Sequence, residues 1–375
     1  MSPRPSRRAL IGAAALTPAL GLAAWRRPEG APLDPPTMTT VATLADAARA
    51  QGRYYGAAVR AEQLRENAGL RAAVLRDCQV LTPEIHLKWN SLEWRKGEFN
   101  FAPVDDLLAF SQRHGMEVRG HTLLWDQGTP GWARQDMLQR RDWSLMSGHL
   151  ERVLKRYAPR ITDWDVINEP IDTEAGAAGL RRNVFHQAFG PTYIERVLEE
   201  ARAHAPQAHL VINDYGFEYD NPVDQARRKA IVALARRLRA SGAPLDGIGV
   251  QAHLDLSKGP LAVEGLRDMT RRLIDEGLEV TITELDVKES SFHGSAAARD
   301  QKVADETRRY LETMLAFPQV RGVVTWGLSD RFSWLSEPPQ RLHADAPLNR
   351  GLPYDADYRP KAMHHALSEA LRLTA

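Results

Sequence analysis

The chain of 375 residues contains one cysteine, Cys78, which excludes an internal disulfide and any multi-cysteine metal site. Cys78 lies between apolar stretches and reads as a small core residue, since no histidine pattern frames it as a nucleophile. An excess of either charge is also missing. The 49 Lys and Arg against 48 Asp and Glu leave a formal +1, so nothing points to nucleic acid as a partner. The arginines crowding residues 226–239 alternate with apolar residues and read as a solvated helix face. Paired histidines are scarce: His121 and His253 stand alone, and His364-His365 falls in a terminal helical stretch. A metal centre is therefore not expected, nor is a cofactor.

Long apolar runs are confined to the N-terminus. Arg4, Arg7 and Arg8 precede an apolar stretch from Ala9 to Trp25, which is too short for a membrane span. Ser6-Arg7-Arg8 followed by Ala9-Leu10-Ile11 resembles a twin-arginine export signal, and Leu22-Ala23-Ala24 supplies small residues for cleavage. Residues 1–25 are thus read as an export signal and residues 26–40, with their prolines, as a linker. The mature protein is expected to be periplasmic or extracellular, not membrane-inserted, and monomeric. No disulfide is needed for folding before export.

From residue 41 onward, short β-rich segments alternate with longer amphipathic helical ones. Strands are expected at 54–59, 80–87, 117–124, 161–168, 209–214, 247–253, 279–284 and 322–326. Helical stretches lie between them, among them 61–78, 104–114, 144–157, 192–205, 223–241, 263–276 and 298–317. Regular alternation argues for parallel strands joined by crossover helices. Eight repeats in about 330 residues fit an α/β fold, a single-domain (β/α)8 TIM barrel over residues 41–375, better than an open sheet.

In such barrels the C-terminal strand ends carry the site, so the polar residues there matter most. The run Trp164-Asp165-Val166-Ile167-Asn168-Glu169-Pro170 ends a buried strand in a carboxamide and a carboxylate. Pro170 bars Glu169 from an ordinary helical conformation. Val280-Thr281-Ile282-Thr283-Glu284-Leu285-Asp286 repeats the pattern on the seventh strand, nearly opposite. Two facing carboxyl groups are the equipment of glycoside hydrolysis, one donating a proton and the other attacking or activating water. Gln251 and His253 share a strand face, as do Glu284 and Asp286, which permits a histidine bridging two carboxylates. Trp125, Trp326 and Trp334 lie near strand ends, where indole rings suit the C–H faces of sugars. Each has a plainer alternative. A lone His121 or His253 is commonly structural, Glu84 and Lys88 are spaced as a helical ion pair, and Asp286 could cap a helix.

Taken in order, these segments resemble family 10 glycoside hydrolases, the (β/α)8 endo-β-1,4-xylanases. The resemblance runs from about Tyr54 to Leu371 and includes Lys88-Trp89, Gly97-Glu98-Phe99-Asn100-Phe101, Gly120-His121-Thr122-Leu123-Leu124-Trp125, Asn213-Asp214-Tyr215, Gly249-Val250-Gln251-Ala252-His253 and Trp326-Gly327-Leu328-Ser329-Asp330. It implies that Glu169 is the general acid/base and Glu284 the nucleophile of a retaining reaction on xylan or xylo-oligosaccharides. It further implies that Asn168 bonds the sugar 2-hydroxyl, that His253 and Asp286 hold Glu284, and that Lys88, His121 and Trp125 bind sugar at or beside the cut. Gln251, Trp326 and Trp334 would line the cleft, and Glu84 would contact the next sugar outward.

Two positions depart from the family pattern. Ile85 stands where asparagine is usual, and Asp126-Gln127-Gly128 replaces His-Ser-Gln after Trp125. Both replaced groups serve the second sugar on the non-reducing side, where Gln127 offers a shifted substitute. One lost hydrogen bond to an uncharged partner costs about 0.5–1.5 kcal/mol. Two alternatives stay open: a catalytically weak xylo-oligosaccharide-binding protein, and the same chemistry on a β-1,4-glucan.

Overall fold

The computed structural model describes residues 43–289, 294–338 and 347–374. The expected export signal (1–25) and linker (26–40) lie outside the described residues. Among the described residues, no helix is long and apolar enough to cross a membrane.

The described residues form nine parallel strands: β1 Tyr54–Val59, β2 Val80–Pro83, β3 Glu117–Trp125, β4 Asp163–Asn168, β5 His209–Asp214, β6 Gly247–Val250, β7 His253–Asp255, β8 Glu279–Lys288 and β9 Val320–Thr325. Pairing runs β6-β5-β4-β3-β2-β1-β9-β8-β7, and a further β6–β8 pairing closes the ring. Eight strands therefore make a closed barrel, with the three-residue β7 as a short addition beside β8. The strands are buried along almost their whole length, as the apolar runs require when helices cover the outside. The helices carry their own start signals. Pro222–Ala240 opens with Asn221 accepting from the Asp224 amide and proline in its first turn, and Ala296–Met314 opens with Ser295 accepting from the Ala298 amide.

Four expectations need correction. The seventh strand does not end at Glu284 but runs on to Lys288, so Glu284 and Asp286 both lie within it. The second strand ends at Pro83, not Leu87; Glu84, His86 and Lys88 lie beyond it in a turn leading to the short helix Trp89–Leu92. The sixth strand does not run through to His253. It stops at Val250, Ala252 takes a left-handed conformation (φ 60°), and His253 resumes pairing opposite Asp286. The helix expected over 61–78 is two, Ala61–Glu66 and Ala68–Asp77, broken at Asn67, which is extended (ψ 103°).

Register slips occur between His121 and Leu124 on β3, between Asp165 and Ile167 on β4, and along the β8–β9 pairing up to Leu285. Such irregularities re-aim side chains. All of them fall on strands that bear the polar residues singled out above.

Candidate active site

Arg119 and His121 on β3 both bind Asp165 on β4. Arg119 grips the carboxylate with two bonds, and His121 Nδ1 lies 2.8 Å from its Oδ2. His121 Nδ1 also comes within 4.0 Å of Glu284 Oε1 on β8. Since β3 and β8 are not neighbours in the ring, the group lies inside the barrel. A buried charge is tolerable only when paired and hydrogen-bonded, and Asp165 receives three donors if His121 carries its proton there.

Glu284 has a partner on each oxygen. Oε1 accepts from Asn213 Nδ2 at 2.7 Å, and Oε2 lies 3.1 Å from His253 Nε2. His253 Nδ1 is 2.8 Å from Asp286 Oδ1, while Asp286 Oδ2 accepts from Trp334 Nε1 at 2.6 Å. The histidine thus bridges two carboxylates, and Asp286 is no helix cap. Burial disfavours the charge on Glu284, but the His253 bond and the charges of His121, His253 and Lys88 outweigh it and hold the pKa down to about 2. Burial likewise opposes charge on His253, yet Asp286 and Glu284 lift it well above the ordinary histidine value. The two shifts describe one ion pair, an imidazolium bonded on one side to an ionised Glu284 and on the other to Asp286.

Asn213 joins the halves of the site. Its Nδ2 donates to both Glu284 and Asn168 Oδ1 (2.8 Å), and its Oδ1 accepts from Thr283 Oγ1 at 2.6 Å. Asn168 Nδ2 and Gln251 Nε2 each reach Glu169 Oε1 at 3.4 Å, and Gln251 also lies 3.3 Å from Asn168 Oδ1. A run of amides therefore links Glu284 to Glu169. Gly249 makes room for it, since a Cβ there would sit 2.3 Å from Asn213 Oδ1.

Glu169 follows β4 directly and is half-buried. Barred from the helical region by Pro170, it takes the left-handed one, φ 58°, a conformation that costs a non-glycine residue about 1–3 kcal/mol. Surrounding bonds over-determine the turn. Glu169 N–H donates to Asn213 O (2.7 Å), and Arg181 Nε donates to Glu169 O (2.9 Å). Asp214 Oδ2 accepts from Ile171 N–H (2.7 Å), while Arg227 donates to Asp214 Oδ1 (2.6 Å) and to Ile171 O (3.1 Å). Burial raises Asp214 to about 7 against the pull of Arg227.

Lys88, Trp125 and Trp326 form a second group. The Lys88 ammonium stands 4.6 Å from the Trp125 ring centre and 5.6 Å from that of Trp326, which meets His121 edge-on. Burial lowers the Lys88 pKa, while Glu284, Glu84 and Glu169 oppose that shift, so the lysine lies within the field of both candidate catalytic carboxylates. Glu84 does not pair with Lys88 as a helical ion pair would. It binds Arg60 at 2.6 Å instead. Among the departures, Ile85 is half-buried, Gln127 is exposed, and Asp126 accepts from the Val184 amide and pairs with Arg134.

The structure thus gathers Asn168, Glu169, Gln251, His253, Glu284, Asp286 and Trp334 into one connected network, with Lys88, His121, Trp125 and Trp326 beside it. Sequence reasoning placed Asn213 and Asp214 at a strand end without giving them tasks, overlooked Arg60, Arg119, Asp165 and Arg181, and read Arg227 as part of a solvated helix face, whereas it is buried against Asp214. The period-two pattern held a signal for Asp165, a charge in the middle of an apolar strand. The distant arginines left none.

A closed parallel barrel with an ionised glutamate and a strained second glutamate joined by amides at its strand ends has the design of a glycoside hydrolase. The chain belongs to glycosyl hydrolase family 10, whose pattern matches residues 43–370. It is similar to endo-1,4-beta-xylanase B of Thermotoga neapolitana, 31% identical over 302 residues, covering 79% of this chain and 81% of the relative. Crystal structures of xylanase 10B from Thermotoga maritima and, with xylobiose, from Thermotoga petrophila RKU-1 each superpose with TM-score 0.77 at 27% identity, covering 88% of this chain and 98% and 97% of theirs.

Proposed function

We propose that the chain is an endo-1,4-β-xylanase that hydrolyses internal β-1,4-xylosidic bonds of xylan with retention of anomeric configuration. The observation that carries the reading is the setting of Glu284. It is a buried carboxylate held ionised between Asn213 and the doubly bonded His253. An anion so oriented is suited to attack carbon.

In this reading Glu169 protonates the glycosidic oxygen while Glu284 attacks C1, giving a covalent xylosyl–Glu284 ester and a free leaving chain. Glu169, now ionised, takes a proton from water, the water oxygen bonds C1, and the C1–Glu284 bond breaks. Two inversions at C1 restore the starting configuration. Asn168 is positioned by Asn213 and Gln251 to bond the 2-hydroxyl of the reacting sugar. Lys88, His121, Trp125, Trp326 and Trp334 serve that sugar and its neighbours. Residues 41–375 form the catalytic domain, the Arg7-Arg8 segment supports export, and the enzyme is read as a monomer.

Parallel digestion of glucuronoxylan, arabinoxylan and carboxymethylcellulose tests the substrate assignment. Short xylo-oligosaccharides from both xylans and no sugar release from the cellulose derivative are expected. Preferential release from carboxymethylcellulose would move the assignment to a β-1,4-glucan, and binding without release would point to a non-hydrolytic protein.

A further inference from the structure

Beyond the catalytic pair, the cleft holds a cation that the reaction does not use. Arg60 follows β1 and precedes the helix Ala61–Glu66. Its side chain is 17% exposed and binds two carboxylates through Nη2 alone: Glu84 Oε1 at 2.6 Å and Glu337 Oε2 at 3.3 Å. Among the described residues, the buried Nε of Arg60 has no partner. A guanidinium is a fork suited to bidentate recognition of a carboxylate, and here the Nε–Nη2 edge is half used.

The two carboxylates differ in kind. The Glu84 side chain is 8% exposed and held in the turn just after β2, while that of Glu337 is 47% exposed. Glu337 sits on the fork at the longer distance, as a displaceable group would. Glu84, bonded to Arg60, adds its field to that of Glu169 and Glu284 at Lys88. The same region has lost neutral hydrogen-bonding groups. Ile85 offers none, and Gly128, where a Cβ would stand 3.1 Å from Trp125 and 3.5 Å from Lys88, has no side chain to offer. Beside Glu84, the Arg60 fork offers that region a cationic group.

We infer that Arg60 is a specificity-determining residue that binds the carboxylate of a uronic-acid branch on the xylan chain, with Glu337 occupying its place when no branch is bound. The branch is carried by the sugar that Glu84 faces or by its outward neighbour. The preferred substrate is then an acidic, branched xylan, and its products keep the branch two or three sugars from the new reducing end. The inference rests on the xylanase reading of the cleft.

The test compares kcat/KM for two xylo-oligosaccharides of equal length, one unbranched and one with a single uronic-acid branch. The ratio of branched to unbranched should exceed one in the native protein. It should fall about tenfold in Arg60→Gln and rise severalfold in Glu337→Gln, with high salt reducing the preference. A ratio unchanged in both variants would overturn the inference. So would an equal loss on both substrates in Arg60→Gln, which would make Arg60 a prop for Glu84 only. Glu337 is half-exposed, so its variant tests the idea even if Arg60→Gln fails to fold. A native protein that cleaves the unbranched oligosaccharide with a ratio below one contradicts the Arg60 inference alone, whereas one that cleaves neither contradicts the xylanase reading beneath it.

Discussion

Glu284→Ala is expected to abolish turnover of xylan and of activated aryl xylosides alike, by about 10⁵-fold or more, the scale on which loss of a covalent nucleophile acts. A better leaving group does not help, because no carboxylate remains to attack C1. The substitution also removes the anion between Asn213 and His253, leaving a half-buried imidazolium with Asp286 as its remaining carboxylate partner. Breaking a buried pair destabilises by about 3–5 kcal/mol, so part of any loss could be unfolding. Glu284→Gln keeps the shape and the Asn213 contact, and should be as inactive as the alanine variant while melting closer to the native protein. Steady-state rates on both substrates, with thermal melts of both variants, check this. Substantial activity in a folded Glu284→Gln would remove Glu284 from the reaction.

Glu169→Ala should split the two substrates. General acid catalysis contributes about 10²–10⁴-fold, and xylan, whose leaving group is a sugar alkoxide, should lose about that much. An aryl xyloside with an acidic phenol leaves with little assistance, so its first step should survive. The second step still lacks its base, and the xylosyl enzyme should accumulate. The expected trace is a burst of phenol equal to the enzyme present, followed by slow steady release. Equal losses on both substrates with no burst would argue that Glu169 has no acid/base task. Because Glu169 holds a left-handed conformation, alanine there keeps the backbone strain but loses the carboxylate, and the turn stays fixed by Asn213, Arg181 and Asp214.

Much of this site was legible in the sequence, for physical reasons that differ residue by residue. Glu169 and Glu284 stood out because each closes an apolar run, a place where a carboxylate is otherwise costly, although β8 continues through Glu284 to Lys288. His253 and Asp286 were linked by strand alternation, although the route differs: the strand breaks at Ala252, and His253 regains its aim by pairing with β8. The barrel followed from eight alternations of strand and helix, while the break at Asn67 and the early end of β2 depend on local turns that periodicity averages away. The arginines were not legible. Arg181 and Arg227 reach Glu169 and Asp214 from separate loops and helices, and Arg60 meets Glu84 across 24 residues. Such long-range pairings leave no spacing pattern, and their surroundings read as ordinary charged surface.

The two-glutamate reaction has one direct signature, the configuration of the first product. Proton NMR of xylo-oligosaccharide hydrolysis, followed before mutarotation equilibrates the ends, should show the β-anomer of the new reducing end appearing first, with the α-anomer growing in later. First appearance of the α-anomer would mean a single displacement by water, and Glu284 would then be a base and not a nucleophile.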